Sequence, residues 1–280
     1  MNAPPAINGS DQPADLRLAA LFWLAERDAT RKAEGVRLLA QAWLANEIGL
    51  DTHAALTAMQ SIPGYPVKPE LVAPRLVKRR SMITTEGRAI LIHALAHIEF
   101  NAINLALDAI WRFAGMPQDY YSDWMHVADE EALHFSMLNG HLQSQGYAYG
   151  DFPAHSSLWE MAAKTQHDIL ARIALVPRTM EARGLDATPQ VRAKLAQAGD
   201  MAAAAILDII LRDEIGHVAI GNRWYNWLCE QRGLETVSTY ARLAAEYQAP
   251  VMLGPFNLEA RRAAGFSESE LDALSNVHNT

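Results

Sequence analysis

The chain has 280 residues, half of them apolar and 20% charged, which is a globular balance and excludes a disordered chain. Its 24 Lys and Arg stand against 32 Asp and Glu, a net charge of −8 that argues against broad coating of nucleic acid. The single cysteine, Cys229, excludes a disulfide framework and a cysteine-ligated zinc site, and fits a reducing cytosol.

Residues 1–14 are rich in Pro, Asn, Ser and Gly and read as a flexible tail. They lack the basic start and apolar run of a secretory signal. No stretch reads as a membrane span. The most apolar one, Met201 to Leu211, contains Asp208 and falls well short of the roughly 20 apolar residues a span needs. A cytoplasmic protein with no membrane partner is expected.

From residue 15 on, apolar residues recur at intervals of three and four, and no long stretch alternates with period two. An all-α fold is expected, as one domain over 15–280. A first helical region runs from about Asp15 to Leu44, with Asp28 and Gly35 as possible breaks. From Gly49 to Gly87 the prolines 63, 66, 69 and 74 prevent a long helix and imply an extended strap lying on something else. Its basic run, with Lys68, Arg75, Lys78, Arg79 and Arg80, reads as a solvated or ion-paired surface, and RNA binding is not expected.

A long helix follows from Thr85, ended by Gly115 and Pro117, then a second over about Gln118 to Gln145. A third is expected from Ser157 to Arg183, ended by Gly184. A fourth, preceded by Gly199, runs to about Arg232 and is ended by Gly233. Four long helices in series suggest a four-helix bundle over about 85–232. The N-terminal helices and strap (15–84) and a helical extension (233–280) flank it.

Two of these helices carry Glu-x-x-His: Glu131 with His134, and Glu214 with His217. Residues at i and i+3 share a helix face, so each pair can converge on one ion. One such match is a weak signal, but the other two helices each offer a glutamate at a matching distance. Glu99 lies 32 residues before Glu131, and Glu181 lies 33 before Glu214. The order Glu, Glu-x-x-His thus occurs twice, as an internal duplication of two helical hairpins. Packed antiparallel, they bring four carboxylates and two imidazoles to one level, the arrangement of ferritin-like di-iron and di-manganese carboxylate proteins.

The neighbours on each helix face support burial. They are Ile92, Ala96, Ile103 and Ala106 around Glu99, and Trp124, Val127, Phe135 and Leu138 around Glu131. Buried carboxylates are costly unless paired or metal-bound, and these faces offer no Lys or Arg. Two divalent ions would balance four carboxylates, and oxygen with imidazole ligands suits iron, with manganese as the alternative. Glu181 stands apart, close to the expected helix end at Gly184. Leu185 to Ala198 reads as an insertion beside the site, able to act as a lid. His93, His97 and Asp129 point away from the Glu99 and Glu131 faces. Glu130 competes with Glu131, and Asp213 is either a partner of His217 or an exposed acid. Tyr120, Tyr121, Trp124, Trp224, Tyr225 and Trp227 read as core or interface aromatics.

The segments AHIEFNAINLALD, ADEEALHF, VPRTMEARG and LRDEIGHVAIG resemble an uncharacterised branch of the ferritin-like superfamily, a domain of unknown function. PELVAPRLVKRRS, AYGDFPAHSSLWE and GPFNLEARRAAGF resemble that branch as well. The resemblance covers most of the chain after about residue 15 and implies a ferritin-like bundle with a dimetal centre. By fold-level analogy, tRNA-modifying non-haem di-iron hydroxylases are a neighbour.

The function expected is a non-haem di-iron oxidase or oxygenase. O2 or peroxide and a small-molecule substrate would be its partners. The chain lacks a cysteine pair for a built-in rubredoxin-like donor, so an external reductase is expected. The alternatives are a di-manganese catalase, a ferroxidase or iron-handling protein, and a non-catalytic helical scaffold.

Overall fold

A computed structural model of the protein describes residues 12–76 and 81–276. Among the described residues there is no β-strand, and the fold is all-α as expected. The chain forms two compact units. One contains residues 12–76 and Ala89–His155, the other Ser81–Arg88 and residues 156–276.

In the first unit, Asp15 caps α1 (Leu16–Ala25) by accepting from the N–H groups of Arg17 and Leu18. Asp28 caps α2 (Ala29–Leu44) by accepting from Arg31 N–H. The chain therefore breaks at residues 26–28 and not at Gly35. Gly35 lies inside α2, where the Trp23 ring of α1 stands 2.1 Å from the place a Cβ would take. Glycine at that position lets the two helices close on one another.

Up to Thr84 the described residues of the proline-rich strap hold no α-helix, only a 3-10 turn at Pro74–Leu76, and α3 begins at its last three residues. Two buried cations pin it from below. Arg17 donates to Asp51 O, Ala54 O and Trp111 O. Lys32 donates to Leu24 O, Gly64 O and Asn104 Oδ1, and its ammonium lies 4.7 Å over the Phe100 ring. Farther along, Val72 N–H donates to Ala154 O and Ala154 N–H to Glu70 O. Lys78, Arg79 and Arg80 lie outside the described residues.

The helices α3 (Thr85–Arg112) and α4 (Gln118–Ser144) take the bounds read from the sequence. Gly115 turns the chain between them at φ +74°, a conformation that favours glycine. Tyr121 Oη donates back to Phe113 O and Tyr120 Oη to Ala109 O, which fastens the hairpin. Among the described residues α3 is the one helix long and apolar enough to cross a membrane, against the expectation that no stretch reads as a span. Its apolar window is 72% buried inside the protein, as in a core helix.

The second unit departs from the expected pattern. The helix predicted over Ser157–Arg183 is interrupted after α5 (Ser157–Lys164), and Asp168 caps a new start at α6 (Ile169–Leu175) by accepting from Leu170 N–H. A π-helical turn, Val176–Glu181, follows, with the N–H of Ala182 reaching back to Pro177 O. Gly184 does not end the helix. The chain continues as α7 (Ala182–Gln197), which packs along α8 (Met201–Gln231). The expected lid at Leu185 to Ala198 is thus corrected. This segment is an arm of the second hairpin, with Leu185 and Leu195 fully buried. Pro189 is tolerated inside α7 because the Leu185 carbonyl, which loses its helical donor, accepts from Asn257 Nδ2 at 3.2 Å.

The correction makes the duplication more regular. Gly115 lies 16 residues after Glu99 and 16 before Glu131; Gly199 lies 18 after Glu181 and 15 before Glu214. The unit is completed by α9 (Thr236–Glu246), α10 (Leu258–Ala263) and α11 (Glu268–Asn276). Ala182, Leu185, Val218, Ala260 and Ala264 form its apolar cluster.

Candidate metal centre

The periodicity that makes α3 and α4 amphipathic also sets the first half of the site. Glu99 on α3 meets Glu131 and His134 on α4, one turn apart on the same face. All three are buried, with exposures of 3%, 0% and 0%. Nδ1 of His134 lies 3.4 Å from Oε2 of Glu99 and 3.5 Å from Oε2 of Glu131. Both separations exceed those of well-formed hydrogen bonds. Two donors each about 2.1 Å from one ion stand about 3.0–3.4 Å apart in octahedral or tetrahedral coordination. The three groups thus fit a divalent cation, and their donor atoms all lie within 4.8 Å of one another.

The electrostatics carry the same information. Burial, reinforced by the charge of Glu131, pushes the Glu99 carboxyl up to about 8. Burial would lower His134, but the two carboxylates outweigh it and raise the imidazole to about 12. Two bare carboxylates in an apolar seam repel each other, so such a cluster favours either protons or a bound cation.

The second unit holds the matching pair. Glu214 and His217 lie one turn apart on α8, both buried, with His217 Nδ1 3.9 Å from Glu214 Oε2. Gly184 of α7 approaches this pair, and a Cβ there would touch the Glu214 carboxyl carbon at 4.0 Å. Glycine at this position leaves that side of the carboxylate open. Glu181 is half-buried at the end of the π-helical turn. Such turns insert one residue and re-aim the side chains around them, and they are frequent at functional sites.

The remaining acids and histidines lie elsewhere. Glu130 faces His126 at 3.5 Å, Asp129 faces Arg37 at 3.3 Å, and Asp213 pairs with Arg212 at 2.7 Å. His97 is buried, and its Nε2 donates to His155 O, which leaves Nδ1 to accept from Tyr149 Oη at 2.8 Å. His93 Nε2 accepts from Gly150 N–H at 2.9 Å, and its ring stacks on Tyr149. Burial lowers both histidines to about 4 and keeps them neutral. The sequence gives no warning of Tyr149, because a loop residue reaches a helix face only through tertiary packing. Tyr120, Tyr121, Trp124, Trp224 and Tyr225 are buried core aromatics, as expected.

Residues 25–272 match the family model described as "Protein of unknown function (DUF455)". An uncharacterised protein of Haemophilus influenzae (strain ATCC 51907 / DSM 11121 / KW20 / Rd) is 51% identical over 240 residues, which are 83% of this chain and 83% of that protein. No solved structure matches the chain. The family match runs from the last residue of α1 into α11 and takes in every one of the six candidate ligands, so the chain belongs to the DUF455 family.

Proposed function

We propose that the protein is a non-haem di-iron oxidase or oxygenase of the ferritin-like kind. Its six ligands would be Glu99, Glu131, His134, Glu181, Glu214 and His217, with α3–α4 and α7–α8 as the two hairpins of a four-helix bundle. The observation that carries the reading is the buried Glu99–Glu131–His134 cluster, whose donor atoms lie close enough together to share one ion. The repeat of the same ligand order on the second hairpin supports a second ion.

Bound iron would supply the reduction of O2 and the oxidation of a substrate. The chain's residues set the conditions for that chemistry. Four carboxylates neutralise the charge of two divalent ions. Each histidine offers Nδ1 from a fixed helix face. The buried aromatics Phe100 and Phe135, next in sequence to Glu99 and His134, pack ring to ring at 6.0 Å and help keep water out of the hairpin. Electrons would come from an external reductase, since Cys229 is the sole cysteine.

Elemental analysis of protein purified without chelators tests the reading, followed by anaerobic Fe(II) loading and exposure to O2. About two ions per chain and consumption of O2 are expected. One ion per saturated chain, or zinc on three ligands, removes the dimetal centre. Manganese with peroxide disproportionation moves the assignment to a catalase. A chain that takes up no metal is a helical scaffold.

A further inference from the structure

An apolar cleft of about 370 Å³ opens in the second unit between α9, the extended stretch at Ala249–Met252 and α11. Roughly 300 Å³ is already enough for a small-molecule site. Val237, Tyr240, Ala244, Val251, Met252 and Leu274 line it. Two guanidinium groups, Arg178 and Arg261, also line it, and they are only 3% and 2% exposed. None of the six proposed metal ligands borders the cleft.

An arginine stays charged when buried and is costly unless its fork of N–H donors is satisfied. Both forks are satisfied on one side. Arg178 Nε donates to Asn222 Oδ1 at 2.5 Å, and Nη2 donates to Glu270 Oε1. Arg261 donates from Nε and Nη2 to the Asp186 carboxylate at 3.1 and 2.6 Å, and from Nη2 to Ala182 O. The Phe266 ring lies 5.1 Å from one guanidinium and 5.4 Å from the other. Among the described residues Nη1 of neither arginine makes a hydrogen bond, so each has a donor left to offer the cleft. The acid beside them is already engaged, since Glu270 also accepts from the N–H and hydroxyl of Ser267. The polar end of the cleft therefore matches two guanidinium groups with two carboxylates and keeps Nη1 of each guanidinium unbonded, and the rest presents hydrocarbon.

We propose that this cleft binds an elongated apolar molecule that ends in a carboxylate. The carboxylate is held by Nη1 of Arg178 and Arg261, and the chain lies along Tyr240, Ala244, Val251 and Leu274. Guanidinium forks match carboxylate geometry, and charge-assisted hydrogen bonds in an apolar setting are the strong ones.

Calorimetric titration of the full chain with decanoate tests the proposal, with decan-1-ol and decyltrimethylammonium as controls. Decanoate should bind saturably at one site, and the alcohol and the cation at least about tenfold more weakly, because they lose the charge-assisted bonds. Ala244→Trp fills the cleft from a half-exposed position on α9 and should abolish binding with unchanged circular dichroism. Ala241→Trp, on the exposed side of α9, repeats the block should the first variant lose helix. Equal affinity for decanoate and decan-1-ol overturns the proposal, as does undiminished binding in the folded blocked variant. Concentration-dependent dimerisation that Ala244→Trp removes also overturns it and assigns the cleft to a second copy of the chain.

Discussion

Oε2 of Glu99 stands 3.4 Å from Nδ1 of His134, on the opposite arm of one helical hairpin, with both side chains sealed from solvent. Burial and the neighbouring Glu131 hold a proton on Glu99 up to about pH 8, and the carboxylates hold one on His134. A divalent ion must displace both. Mn(II) added to chelator-treated protein in weak buffer at pH 7 should therefore release protons, and should raise the melting temperature because it binds the folded state. Uptake without acidification would show that these residues are not the ligands.

The duplication predicts matched behaviour from matched residues. Glu131→Ala and Glu214→Ala should each lose tight metal binding while helical content stays, because the apolar seam holds the hairpins. Glu130→Ala should leave metal binding intact, since that side chain faces His126. Glu181→Ala should weaken one metal position more than the other. Metal titrations of the four variants decide the matter, and a silent Glu181→Ala would remove it from the ligand set.

Asn257 and Pro189 should be coupled. Asn257 supplies the donor that Leu185 O lacks and also caps α10 by accepting from Ala260 N–H at 3.2 Å. Asn257→Ala should cost about 1–3 kcal/mol. In a Pro189→Ala background the residue-189 N–H can reach Leu185 O, so the cost should fall by about 1 kcal/mol. Urea unfolding of the four chains measures this, and additivity within about 0.3 kcal/mol would sink the idea.

Two helix glycines should respond in opposite directions. Alanine gains about 1 kcal/mol over glycine in a helix interior. At Gly140 of α4 a Cβ meets nothing within 4 Å, so Gly140→Ala should stabilise. At Gly35 it meets the Trp23 ring at 2.1 Å, and overpacking of about 1–3 kcal/mol outweighs the gain. Thermal unfolding should move up by a few degrees for the first and down for the second. A stabilised Gly35→Ala chain would mean that α1 is free to shift.

His93 should contribute to acid sensitivity. Burial lowers it from 6.5 to about 4, against the opposing charge of Asp151. The unfolded chain therefore binds a proton there before the folded chain does, and stability falls as pH drops from 6.5 towards 4. Above 6.5 both states are neutral and the contribution is constant. His93→Gln removes the titration while keeping an acceptor for Gly150 N–H, so stability measured across this range should fall less steeply. An unchanged slope would assign the acid limb to other groups.

Much of the candidate site is legible in the sequence because it is local. A helix repeats every 3.6 residues, so Glu131 with His134 and Glu214 with His217 must share faces wherever the chain goes. The turns at Gly115 and Gly199 are equally local, since glycine there relieves a backbone that other residues adopt at a cost. The tertiary structure decided the rest. Gly184 is expected to end its helix, and glycine and proline cost about 1 and 3 kcal/mol in a helix interior, yet α7 runs through Gly184 and Pro189. The donor that makes this affordable for Pro189 comes from Asn257, far along the chain and invisible to any local pattern. The same holds for Arg178 and Arg261. Nothing in their local sequence shows that folding buries them beside one apolar cleft, because only long-range packing sets where a guanidinium finds its partners.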